Sequence, residues 1–231
     1  MLIQENGNYS IGTFNGTEFK QETKRFACAV GPNFYATQSW HNTDTGDGRR
    51  IQTAWMRGAD FIDMPFSQMI SFPCELTLHT TPDGLRIFRQ PIKEIASLHH
   101  GQDPWTNRTL GKDQTLRLEP SGQLFYLEAE VSIPEGAKLS FNLRGVPVVL
   151  TSKTVASGHA PASVQGQVRK VEILVDRTSV ETYVNDGEVS STRYVLFKTS
   201  GLSVNAEDGA VTIHSLTVYP LKSAWPEGIG D

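Results

Sequence analysis

Residues 171–187 read Val-Glu-Ile-Leu-Val-Asp-Arg-Thr-Ser-Val-Glu-Thr-Tyr-Val-Asn-Asp-Gly, and their pattern decides the fold class. Val171, Ile173 and Val175 recur at every second position, the period of a strand whose side chains alternate between two faces. Asp176-Arg177 turns the chain into a second strand, Ser179–Val184, and Asn185-Asp186-Gly187 turns it again. On composition alone this is a hairpin or meander.

The same grammar extends in both directions. Toward the C-terminus, Tyr194–Lys198, Leu202–Asn205 and Val211–Tyr219 read as strands; toward the N-terminus, so do Leu124–Ile133, Lys138–Leu143 and Val146–Thr151. Many short strands without intervening helices predict a two-sheet antiparallel β-sandwich over 109–231. Upstream, Pro91–His100 (PIKEIASLHH) predicts a short helix opened by proline, with Ile92, Ile95 and Leu98 near helical spacing. Gly101–Asn107 is polar and reads as irregular, so 91–108 is expected to be a linker. Before it, Tyr9–Gly12, Arg25–Val30, Phe34–Trp40, Ile51–Met56 and Leu76–Thr80 read as strands. Thr81-Pro82-Asp83-Gly84 is a turn that returns the chain through Leu85–Arg89. The expected class is all-β.

The formal charge, 21 basic against 25 acidic residues, is −4 and argues against nucleic acid or an anionic membrane as partner. No apolar run approaches the roughly 18 residues of a membrane-spanning helix. Residues 1–10, MLIQENGNYS, lack the basic flank and apolar core of a signal peptide, which leaves localisation open. Cys28 and Cys74, each in an apolar neighbourhood, read as small packed hydrophobes, although spacing alone leaves a disulfide open. No metal or cofactor motif is present; His99-His100 reads as a solvated pair, because adjacent residues of a helix face different ways.

Between residues 31 and 78, aromatics are interleaved with Gln, Ser and Arg: Phe34-Tyr35-Ala36-Thr37-Gln38-Ser39-Trp40, Trp55-Met56-Arg57 and Phe66-Ser67-Gln68. That mixture suits sugar recognition, where a ring stacks on an apolar sugar face while amides and guanidinium bind hydroxyls. The same residues also fill ordinary strands, so both readings stay open.

Several segments, in order, resemble glycoside hydrolase family 32, the invertases, inulinases and levanases. The family's Tyr-x-Ile-Gly-x-Phe-x-Gly strand is matched by Tyr9–Gly16, and its Phe-Tyr-Ala-x-Gln-Ser-Trp strand by Phe34–Trp40. Its Trp-Met pair is matched by Trp55-Met56, its Phe-Pro-x-Glu-Leu-Thr-Leu strand by Phe72–Leu78, and its Val-Asp-Arg-x-Ser-Val-Glu signature by Val175–Glu181 within Val175–Gly187. The resemblance implies an incomplete β-propeller segment over 1–90 followed by the sandwich, and a fructan or other fructose-containing sugar as partner. It implies Trp40, Trp55 and Gln68 as substrate-facing residues, with interblade packing the competing role.

The resemblance also implies catalytic carboxylates in Asn-Asp-Pro-Asn-Gly, Arg-Asp-Pro and Glu-Cys motifs, and none of these occurs here. Gln102-Asp103-Pro104 lacks the Arg, and Cys74-Glu75 has the order reversed. No catalytic residue is therefore assigned. The expectation is the C-terminal part of a levanase-type or β-fructofuranosidase-type glycosidase, inactive alone. The alternative is a non-catalytic carbohydrate-binding or interaction module. A second copy, or a complementary chain, is expected to cover the open propeller edge.

Overall fold

A computed structural model describes residues 1–41, 46–58, 66–119 and 122–224. The N-terminal part contains β1 (Leu2–Ile3), β2 (Asn8–Ser10), β3 (Gly12–Phe14), β4 (Phe19–Gln21), β5 (Phe26–Ala27), β6 (Tyr35–Trp40), β7 (Arg50–Trp55), β8 (Cys74–Thr81) and β9 (Gly84–Pro91). Strands β6-β7-β8-β9 form a four-stranded antiparallel meander, the unit of a propeller blade. β1-β2-β5 forms a small sheet beside it, and β3-β4 a separate hairpin. The meander and the small sheet share a core of Tyr9, Ile11, Cys28, Phe34, Ala54, Leu76 and Ile87. The β8–β9 connection is the expected turn: Thr81 pairs with Gly84, which takes φ +96°.

The C-terminal part contains β10 (Asp103–Leu110), β11 (Thr115–Leu118), β12 (Phe125–Ser132), β13 (Lys138–Leu143), β14 (Val146–Thr151), β15 (Thr154–Ala156), β16 (Ala162–Ser163), β17 (Lys170–Val175), β18 (Ser179–Val184), β19 (Val189–Tyr194), β20 (Leu202–Glu207) and β21 (Val211–Pro220). Two six-stranded sheets, β10-β21-β12-β17-β18-β19 and β11-β20-β13-β14-β15-β16, face each other. Leu127, Val171, Ile173, Val180 and Ile213 from one sheet and Leu139, Phe141, Val148 and Val204 from the other fill the single core between them. The architecture is thus all-β, a partial propeller followed by a sandwich.

Three local expectations are corrected. Gly101–Asn107 is not irregular: Asp103–Leu110 is a strand, β10, paired along β21, so the sandwich begins inside the segment expected to be a linker. Its polar sequence is that of an edge strand, and Asn107 takes φ +50° where the pairing skips a residue. The helix is a 3-10 turn, Lys93–Leu98, with Pro91 still in β9 and no side chain capping its start. The strand expected at Tyr194–Lys198 is instead Val189–Tyr194. Its Ser190-Ser191-Thr192 run looks solvent-facing in sequence, but all three residues are buried.

They are buried because the blade docks on the sandwich there. Residues 28–33 run along the edge of β19: Val30 N donates to Ser190 O at 2.8 Å, Ser190 Oγ to Cys28 O at 3.1 Å, and Tyr194 N to Asn33 Oδ1 at 2.9 Å. Contact is so close that a Cβ on Gly31 would lie 2.0 Å from the Thr192 carbonyl oxygen. The covered edge no longer offers a template for pairing with another chain. At the far side of β9, Arg89 N donates to Gly187 O at 2.9 Å, so the Asn185-Asp186-Gly187 turn is pinned to the blade.

Candidate functional site

Tyr35 opens β6 and Trp55 closes β7, and antiparallel pairing sets them opposite each other, with ring centroids 6.2 Å apart at 65°. Ala36, at φ +46°, makes the bulge that brings Tyr35 into this register. The Arg57 guanidinium lies 4.6 Å over the Tyr35 ring, and Arg57 O accepts Asn33 Nδ2–H at 2.7 Å. On the outer side of Trp55, Ile70 bridges to it and Met56 N donates to Met69 O at 2.9 Å, which brings the exposed Gln68 to the same end of the blade. The result is a rim carrying two aromatic rings, a guanidinium and an amide, groups that can stack on a sugar and bind its hydroxyls.

Trp40 is not part of that rim. It pairs with Ile51, four residues from Trp55 on β7, so it stands at the other end of the strand pair, about 13 Å away at the usual strand rise. It shares the Trp55 face of the blade and is 40% exposed. Of the three residues expected to face substrate, the structure therefore brings together Trp55 and Gln68 and separates Trp40.

The two near-matches to catalytic motifs lie elsewhere. Asp103 begins β10 in the sandwich, paired with Val218. Cys74 is fully buried in β8, and Glu75 pairs with Gln90. Asp47 binds Arg49 Nε at 2.6 Å, and the Arg49 fork continues to Glu94 of the 3-10 turn at 2.6 and 3.1 Å. Asp44 and Asp60 lie outside the described residues.

The feature that sequence reasoning missed is a buried polar network under the rim. Glu181 on β18 and Arg89 on β9 are 2% and 1% exposed, with Glu181 Oε2 3.7 Å from Arg89 Nη2. Glu181 Oε2 also accepts the Tyr183 hydroxyl at 3.0 Å and the Thr192 hydroxyl at 3.1 Å, while Oε1 accepts Phe72 N–H at 2.6 Å. Arg89 lies 4.9 Å over the Phe34 ring and donates to Ser71 Oγ at 3.2 Å. Burial pushes the Glu181 carboxyl above the usual carboxylate range, against the pull of Arg89 and its three hydrogen-bond donors. Burial also works against the Arg89 charge, but Cys74, Tyr183 and Glu181 more than offset it. The available signals were Glu181 at the end of the Val175–Glu181 signature and an Arg directly after Ile87-Phe88. At the other end of the blade–sandwich seam, a cleft of about 360 Å³ is lined by Tyr9, Phe26, Arg86, Asp83, Gln165 and Glu188. Gln165 Nε2 bridges it to Asp83 at 2.8 Å.

Comparison with known proteins adds relatives to this geometry. Residues 3–91 match the family model described as Glycosyl hydrolases family 32 N-terminal domain, and residues 147–220 the one described as Glycosyl hydrolases family 32 C terminal. A levanase of Bacillus subtilis (strain 168) is 28% identical over 255 residues, covering 94% of this chain and 38% of that protein. A levanase of Bacillus sp. (strain L7) is 30% identical over 236 residues, covering 85% of this chain and 25% of that protein. The solved exo-inulinase from Aspergillus awamori superposes with a TM-score of 0.74 over 94% of this chain and 50% of its own, at 19% identity, a likeness of fold alone. The chain spans half or less of the length of these relatives.

Proposed function

The chain belongs to glycosyl hydrolase family 32, a fructan-hydrolysing glycosidase family, and from that membership we propose that it is the C-terminal portion of a levanase-type enzyme. In this reading it supplies one wall of the sugar site, the Tyr35–Trp55–Arg57–Gln68 rim, and the sandwich that supports it. The observation that carries the proposal is the order of the two family matches on a fold that keeps the blade and the sandwich together.

Retaining hydrolysis needs a nucleophilic carboxylate and an acid/base carboxylate about 5 Å apart across the scissile bond. These 231 residues hold none of the three motifs that carry such groups in the family. Without the nucleophile no fructosyl-enzyme forms, and without the acid the leaving oxygen departs as a poor alkoxide. In this reading the carboxylates belong to the remaining blades, seated on the Trp40–Trp55 face. A second copy covering the same face is the other occupant.

The test is fructose release from levan, inulin and sucrose, with a binding titration on the same sample. The expected result is weak binding of a levan oligosaccharide and hydrolysis at background. Sustained fructose release, abolished by changing a carboxylate such as Asp47, would overturn the proposal. Binding that stays unchanged when a chain carrying the missing motifs is added, with no gain of hydrolysis, would favour a non-catalytic module.

A further inference from the structure

We propose that Glu181, a residue of the sandwich, is a positioning residue for the Trp55 rim of the blade; the inference rests on reading that rim as the sugar-facing wall. Trp55 is held in place through its outer neighbour, the segment Met69–Phe72. Met56 N donates to Met69 O at 2.9 Å, Ser71 N to Ala54 O at 2.8 Å, and Ala54 N to Ser71 Oγ at 3.1 Å. Ile70 bridges directly to Trp55. This segment precedes β8, so continuous pairing within β8 does not hold it.

Beyond this pairing with β7, it is held by side chains of the sandwich and by Arg89 of β9. Phe72 N–H is bound by Glu181 Oε1 at 2.6 Å. Thr178, immediately before β18 and three residues before Glu181, donates to Met69 Sδ at 3.5 Å. Arg89, which faces Glu181, donates to Ser71 Oγ at 3.2 Å. Burying a carboxylate is costly unless every oxygen is engaged. Tyr183 and Thr192 already satisfy Oε2 within the sandwich sheet. Oε1 is aimed out of that sheet at one backbone N–H of the blade. A side chain needed only to fill the sheet would not reach across the seam.

Two variants separate positioning from stability. Glu181→Asp keeps the charge beside Arg89 but withdraws the oxygen by one methylene from Phe72 N–H. The pair Glu181→Leu with Arg89→Met removes both charges with similar volume, and with them the acceptor of Phe72 N–H, Tyr183 and Thr192 and the Arg89 bond to Ser71 Oγ. Amide hydrogen exchange is followed at Met56, Ser71 and Phe72, with Phe141 and Val148 in the opposite sheet as controls, alongside a levan-oligosaccharide titration. In both variants the three blade amides are expected to exchange at least about tenfold faster while the controls hold, a local opening rather than a global one. Sugar affinity is expected to fall about tenfold, equivalent to about 1.4 kcal/mol. Unchanged exchange at Phe72 and Met56 in either folded variant would overturn the proposal. So would failure of both variants to fold, since the pair would then hold the whole molecule rather than the rim. If the parent chain binds no sugar, the sugar reading of the rim fails, and the exchange result still decides the role of Glu181.

Discussion

Arg89 and Glu181 are the charged side chains most completely withdrawn from water among the described residues, and their energetics are those of a pair rather than of two separate groups. Removing one partner leaves the other buried and uncompensated, so Arg89→Met or Glu181→Ala is expected to cost about 3–5 kcal/mol in denaturant unfolding, more than the double apolar replacement. The cysteines test the same burial. Cys74 is fully buried, and its thiol is pushed up to about 12, chiefly by desolvation; Cys28 is raised for the same reason. Both thiols are buried and shifted toward the protonated form, so at about pH 8 iodoacetamide should label neither in the folded chain and both after denaturation, read by mass. Rapid labelling of Cys74 in the native protein would show that the seam opens. Glu128 gives a pH signature. Its pairing opposite Glu172 on β17 and its partial burial raise its carboxyl above the ordinary 4.5, burial being the larger cause. The folded chain therefore holds this proton to a higher pH than the unfolded chain, and the group's contribution to stability falls as pH rises from about 4.5 through the raised value. Glu128→Gln is expected to stabilise the chain at neutral pH, with the gain vanishing as acid protonates the parent residue in both states. A gain that persists unchanged at low pH would rule out this electrostatic cause. The packing of Cys28 and Cys74 was legible from their apolar neighbours, but the Arg89–Glu181 pair and the Glu128 pairing were not. Ser179, Glu181 and Tyr183 alternate with Val180, Thr182 and Val184 as a half-solvated strand would, yet all six are buried. Period-2 alternation reports that two faces differ, not that one of them meets water.

Elements whose geometry is local were legible, and elements defined by distant partners were not. The β8–β9 hairpin follows from Thr81-Pro82-Asp83-Gly84, because a two-residue turn fixes the register of the strands it joins. The 171–187 meander follows from its alternation and its turn residues in the same way. β10 and β19 were missed because polar edge residues become a strand only when β21 and β18 pair with them. Within the candidate rim, Trp55 and Gln68 stood out by residue type. Separating Trp40 from them required the register of β6 on β7, which depends on the bulge at Ala36. Glycine marks where elements approach most closely. Gly187, at φ +86°, leaves no room for a side chain, since a Cβ would lie 2.3 Å from Arg89 O. Gly187→Ala combines that clash with a left-handed backbone and is expected to destabilise by about 1–3 kcal/mol or more. Gly136, at φ +84° but with open space around it, serves as the control. Equal losses at the two sites would mean that backbone strain alone, not docking of the turn on β9, sets the effect.

At the scale of the whole molecule, the two halves differ in how they close. The sandwich buries its core between two complete sheets, and residues 28–33 cover its β19 edge. The blade has one covered face, the side packed on β1-β2-β5, and one face that carries Trp40 and Ile70 at 40% and 66% exposed. Large apolar side chains left exposed together on a sheet face are a docking surface or an aggregation hazard. We therefore expect the purified chain to self-associate through this face, most simply by two-fold symmetry, when no complementary chain is present. Sedimentation velocity across a concentration series should show a reversible rise in mass, and Trp40→Glu with Ile70→Glu should return the chain to monomer without lowering its melting temperature. Both positions face solvent, so the charges are not expected to disturb the core. A monomer at high micromolar concentration, or association that survives both charges, would place the contact elsewhere and leave the Trp40–Trp55 face free for a partner of another kind.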